Sequence, residues 1–241
     1  MPETEVLLGK LTRREFRERM GNGELRCCII PVAAIEQHLE HLQMEHDWQS
    51  VNHVAIEVAK RLRPQVIVAQ GLMAGVSEHH MKHFGTLTLR PGSFLAVLSD
   101  LIESMTRAGF QNVLVLNGHG GNVAVCRSTW GQFVQRMQVN LQFLPYWDVL
   151  TEEDAKLLKS GHRLPDDLPG HAQEFETAFA LAAFPENVRT DVTKDQEDPK
   201  PAMATAETGR ALIERTVERV ATHVQKMIDG ESVIEIPPFH P

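Results

Sequence analysis

The stretch VLVLNGHGGN, residues 113 to 122, sets four aliphatic residues against a polar loop bracketed by glycines. An apolar run with no polar alternation reads as a strand buried on both faces. The glycines let the chain turn sharply, and Val123 to Met137 continues as a helix. Outward from there the same grammar repeats. Cys27–Ile35, Val66–Ala69 and Leu141–Leu144 are short apolar strands. Between them, Val51 to Leu62 has helical spacing and ends before Pro64. Ser93 caps a helix whose Phe94, Val97, Leu98, Leu101 and Met105 share a face, with Gly109 just past its end. Strands alternating with amphipathic helices predict an α/β fold: a mostly parallel sheet covered by helices on both faces.

The flanks are consistent with this. Thr12 and Glu15 form a capping-box pattern for a helix over 12–20 that stops at Gly21. Residues 186 to 201 are polar and rich in Asp, Lys and Pro, a surface loop. Ile213, Val217, Val220, Val224 and Met227 then mark a long amphipathic helix ending at Gly230, before an extended PPFHP tail. With 241 residues the chain suits one sizeable core, so residues 1–241 are read as a single domain. A net charge of −8 and no Lys/Arg run argue against nucleic acid and anionic membranes as partners. Cys27, Cys28 and Cys126 form no CxxC pair, and the N-terminus carries no apolar signal core, which together point to the cytoplasm.

Ligands of open α/β sheets bind beyond the carboxyl ends of the strands. Three polar segments belong at that edge. IEQHLEHLQMEHD (35–47) offers Glu36, His38 and Asp47, a mixed oxygen and nitrogen set suited to zinc, manganese or iron. Glu36 and His38 leave one face of an extended segment, but the same residues could begin a solvated helix with Glu40 one turn on. NGHGGN presents His119 unshielded between glycines, although a plain turn or a phosphate loop would also use them. GHAQEFET adds His171 and Glu176 at a helix start, where acidic residues are expected for dipole reasons alone. SEHHMKHFGT (77–86) adds three more histidines. There is no HExxH, no GxSxG and no Walker lysine.

EQHLEH with Asp47, then HHMKHFGT, NGHGGN and GHAQEFET, taken in that order, resemble the creatininase (creatinine amidohydrolase) family over roughly residues 8 to 230. The resemblance implies a three-layer α/β/α fold, one or two divalent metals (Zn, Mn or Fe) per chain, and a homo-oligomer, commonly a hexamer. It implies that Glu36 and His119 hold one metal and His38 the other, with Asp47 bridging and Glu176 completing a shell. His171 is implied in proton transfer, with Glu176 also available to orient water. His80, Thr86, Gly120 and Gly121 are implied to face a small-molecule substrate. Creatininase proper has a glutamate two residues after the NGH histidine; here that residue is Gly121, and Phe84 replaces a usual proline. These departures argue against creatinine as substrate and against a fully built second metal site. The implied activity is metal-assisted attack of water on a small cyclic amide or formamide, cleaving C–N. The alternative is C–C hydrolysis of a cyclic diketone or keto-inositol. A reading of another class is a non-enzymatic small-molecule-binding module.

Overall fold

The computed structural model describes residues 4–161, 163–164, 168–194 and 196–235. Four parallel strands form the sheet in the order β2-β1-β3-β4: β1 is Cys27–Val32, β2 Val66–Val68, β3 Asn112–Asn117 and β4 Asn140–Pro145. The two central strands run in register from Cys28 opposite Val113 to Val32 opposite Asn117, so both chains leave the sheet at the same edge. Every residue of β1 is buried, which is why its sequence shows no polar alternation.

Alternation is nonetheless present, as a division between two cores. Cys27, Ile29, Leu114 and Leu116 face one layer, made by α2 (His46–Arg61), α6 (Glu174–Ala183) and α7 (Ala206–Asp229). Cys28, Ile30, Val113 and Val115 face the other, with α1 (Arg13–Gly21), α3 (Pro91–Arg107) and α4 (Gly120–Met137). The short helix α5 is Glu152–Ala155. The result is a three-layer α/β/α sandwich. Each fully buried aliphatic side chain contributes roughly 1.5–3 kcal/mol of transfer free energy to it.

The capping box forms as expected: Glu15 N–H donates to Thr12 Oγ1, and Thr12 N–H donates to Glu15 Oε2. The surface loop over 186–201 carries two short 3-10 turns, Pro185–Asn187 and Lys200–Met203. Several boundaries move for identifiable reasons. β1 ends at Val32; Ile35 instead bridges antiparallel to Leu87. Helix α3 begins at Pro91 rather than after Ser93, because proline suits the first helical position. Helix α7 starts at Ala206, where Thr205 Oγ1 accepts the Thr208 N–H. Helix α2 starts at His46, five residues ahead of the apolar pattern, since its first turn buries His46, Asp47 and Ser50 instead of hydrophobics. Residues 36–45 are not helical, so a solvated helix beginning at Glu36 is excluded. The PPFHP tail lies outside the described residues.

Candidate metal centre

Three segments are stapled together at the carboxyl edge of the sheet by Asn122. Its Nδ2 donates to Ala33 O (3.2 Å), just past β1, and to Asn117 Oδ1 (3.1 Å) at the end of β3. Its Oδ1 accepts the Val76 N–H at 2.9 Å. Asn117 Nδ2 in turn donates to His119 O at 2.7 Å, which fixes the turn that presents the imidazole. Gly75 is needed where these strands of loop meet, because a Cβ there would lie 2.3 Å from Ala33 O.

Asp47, in the first turn of α2, lies between two imidazoles. Its Oδ1 is 3.0 Å from His38 Nε2, and its Oδ2 is 2.9 Å from His119 Nδ1. Glu36 Oε1 approaches His119 Nδ1 at 3.4 Å, and Glu176 Oε2 approaches His38 Nε2 at 3.9 Å. Ser77 Oγ donates to Glu36 Oε2, and Ala172 N–H donates to Glu176 Oε2. All five of Glu36, His38, Asp47, His119 and Glu176 are buried.

The second nitrogen of each ring decides what this arrangement is for. His38 Nδ1 donates to Glu36 O at 3.1 Å, and His119 Nε2 donates to Val76 O at 3.1 Å. A backbone carbonyl holding one N–H of an imidazole fixes its tautomer and aims the other nitrogen's lone pair outward. Here both lone pairs would aim at carboxylates. Such a set is satisfied either by extra protons on the rings or by a cation among them.

The electrostatics express the same conflict. Burial pushes the Glu176 carboxyl up to about 8, with Asp47 and Glu36 adding repulsion against the pull of His38. Burial likewise raises Glu36. Burial disfavours a charged His38, but the charge and hydrogen bond of Asp47, helped by Glu176, win and lift it to about 10. His119 is raised in the same way, against its burial, by Asp47 and then Glu36. Burial also opposes ionisation of Asp47, yet His38 and His119 hold it well below the usual carboxylate range.

Above this cluster lies a cavity of about 290 Å³. Glu36, Asp47, His119, Glu176 and His171 line it, together with His79, His80, Gly118, Gly120, Gly121, Trp147, Pro169 and Gly170; among the described residues no lysine or arginine does. His171 Nδ1 lies 3.7 Å from Glu36 Oε1, and its ring is held low, to about 3, by burial and by repulsion from His38 and His80. His80 Nε2 is 3.6 Å from Glu36 Oε1. Thr86 is buried and stands off the cavity wall, its Oγ1 accepting the Gln37 N–H at 3.4 Å.

Two residues escaped the sequence reading. Gln37 Nε2 donates to both His80 Nδ1 (2.9 Å) and His171 Nε2 (2.8 Å), while its Oε1 accepts the Leu39 N–H at 3.0 Å. Period-two reasoning sends Gln37 away from Glu36 and His38, but the segment is irregular, with Leu39 at a φ of 55°. His79 was one histidine among several in its segment, and only its place on the cavity wall distinguishes it.

A family model described as creatininase, creatinine amidohydrolase, matches residues 9–224. The chain is 28% identical over 200 residues to the 3-dehydro-scyllo-inosose hydrolase of Thermotoga maritima, covering 80% of this chain and 61% of that protein. It is 28% identical over 207 residues to the creatinine amidohydrolase of Pseudomonas putida, covering 79% and 76% respectively. A mycofactocin precursor peptide peptidase of Mycobacterium tuberculosis is 27% identical over 178 residues, 68% of this chain and 61% of the relative. The chain thus spans about three fifths of the length of two of these three relatives. A manganese form of creatininase superposes with a TM-score of 0.81 at 24% identity, covering 93% of this chain and 99% of the other. A Zn-Zn form of a creatininase variant gives 0.80 with the same identity and coverage. These structures share the fold.

Proposed function

The chain belongs to the creatininase family, and from that premise we propose that it is a divalent-metal-dependent hydrolase. In this reading water adds to a carbonyl of a small cyclic amide or formamide and a C–N bond breaks. One observation carries the proposal: two imidazoles, each pinned by a backbone carbonyl, turn their other nitrogens toward three buried carboxylates, and among the described residues no lysine or arginine lines the cavity above them. Oxygen and imidazole donors in this arrangement fit one or two zinc, manganese or iron ions. Glu36 and His119 would hold one, His38 and Glu176 the other, with Asp47 between them. When bound, such a cation supplies Lewis acidity, easing ionisation of water near neutral pH and polarising a carbonyl.

The chain's own side chains supply the rest. Gln37 occupies His171 Nε2, which leaves Nδ1 directed to the cavity beside Glu36. A neutral ring whose Nε2 accepts from Gln37 carries its proton on Nδ1, so it presents an N–H to the cavity that can hydrogen-bond the leaving atom and stabilise the charge developing there. Glu176, oriented by the Ala172 N–H, either completes the metal shell or orients that water. His80, Gly120, Gly121 and Trp147, all on the cavity wall, would face the substrate. The substrate is not creatinine in this reading, since position 121 carries no side chain. A cytoplasmic single-domain homo-oligomer, hexameric as the resemblance implies, completes the proposal.

A second reading, C–C hydrolysis of a cyclic diketone or keto-inositol, is favoured by the match to the Thermotoga inosose hydrolase, as similar as that to the creatinine amidohydrolase. The test is a screen of lactams, formamides and cyclic diketones with the metal-loaded protein. Amine or ammonia release supports C–N cleavage, and carboxylic acid formation alone supports C–C cleavage. Turnover by a metal-free His119→Ala protein would overturn both.

A further inference from the structure

Gly121 stands two residues beyond His119 and cannot be anything larger on this backbone. A Cβ there would lie 2.1 Å from Val76 O, 2.5 Å from His119 Nε2 and 3.0 Å from His79 Cε1. Position 121 therefore sends no donor into the site. Besides His119, the side chain that stands against this spot is His79, carried in from the 3-10 turn Glu78–His80. Its ring lies parallel to that of His119, with centroids 5.8 Å apart and planes 14° apart. One donor atom from each of Glu36, His79 and His119 lies within 4.8 Å of the others.

Among the described residues, nothing hydrogen-bonds to the His79 ring; its ring neighbours are His80 and His119. Donors at about 2.1 Å from one ion stand no more than about 4.2 Å apart. His79 is exposed, which leaves its ring room to turn toward the other two donors. The turn brings a nitrogen donor to the side of the cluster where position 121 offers only hydrogen.

We infer that His79 is a protein donor to the cation held by Glu36 and His119, reaching it from the 78–80 turn across the space that Gly121 leaves open. The inference rests on the metal-hydrolase reading above. It is distinct from a stacking role, in which His79 would merely cover His119. His79→Phe separates the two, because it keeps an aromatic ring over His119 and removes the nitrogen; His79→Ala removes both.

The experiment is a Zn²⁺ titration of chelator-stripped protein by calorimetry, repeated with Co²⁺ while its visible absorption is followed. Donor loss in both variants should weaken one cation site by roughly 10- to 100-fold and shift the Co²⁺ spectrum of that site. The other site and the circular dichroism should not change. Native affinity and spectrum in His79→Phe would overturn the inference and leave the hydrolase reading intact. An unaltered protein that binds neither cation would overturn both.

Discussion

Two buried carboxylates, Asp154 and Glu176, are equally hidden from solvent and behave in opposite ways. Asp154, in α5, receives Arg215 Nη1 at 2.6 Å, Arg219 Nη1 and Nη2, and both the N–H and hydroxyl of Thr151 at 2.7 and 2.9 Å. Burial opposes its charge, but these donors hold its carboxyl far below the ordinary range. Glu176 has one backbone donor and a histidine 3.9 Å away, with Asp47 and Glu36 repelling it, and its carboxyl rises to about 8. The first is a finished ionic lock between α5 and α7. The second belongs to a set of charges that the protein alone leaves incomplete. Buried charge is costly unless paired, so the unpaired set reads as a place prepared for a cation.

Breaking each side of this comparison should give different kinds of damage. The largest effect is expected from Asp47→Asn, which removes the carboxylate contacting both His38 and His119. Metal content should fall to near zero and turnover should vanish, while the folded sheet persists by circular dichroism. Next, His171→Ala should keep its metal and lose turnover; elemental analysis beside an activity assay checks this, and coupled loss of both would place His171 among the ligands. Asp154→Asn should be the mirror image. Its arginines reach solvent, so the loss is about 1.5–3 kcal/mol of stability by urea denaturation, with metal stoichiometry untouched.

The smallest effect is a pH slope. Glu176 is raised from 4.5 to about 8 and His38 from 6.5 to about 10. In the metal-free protein the folded state therefore binds more protons than the unfolded state across this range. The stability these two groups contribute is complete only below their unfolded values of 4.5 and 6.5 and is lost as pH rises toward the folded values, so stability should fall from about pH 5 to about pH 10. Saturating divalent cation should displace those protons and flatten or reverse the slope, raising stability by ~2.7 kcal/mol at a hundredfold excess over Kd. Thermal unfolding with chelator and with Zn²⁺ at each pH measures it.

How much of this was legible beforehand depended on whether periodicity carried the signal. Cys27 to Val32 and Val113 to Leu116 announced buried parallel strands because every position is apolar, and their shared exit edge followed from topology. The start of α2 was hidden because His46, Asp47 and Ser50 are buried polar residues, invisible to an apolar stripe. Glu36, His38 and Asp47 stood out by residue type, yet spacing alone could not separate a metal set from a solvated helix. The non-helical backbone over 36–45, the burial of all three residues and the carbonyl partner of His38 distinguish the two. Gln37 was illegible because its reach to His80 and His171 depends on an irregular turn at Leu39. Thr86 carried a motif's promise, and the fold set it behind Gln37 instead.

The most direct measurement is metal content per chain, by mass spectrometry on protein purified without added metal or chelator and again after reconstitution. One to two equivalents of zinc, manganese or iron are expected, lost in Asp47→Asn and retained in Asp154→Asn. No bound metal in either preparation would contradict it and leave the cluster as a set of protonated imidazoles neutralising buried carboxylates.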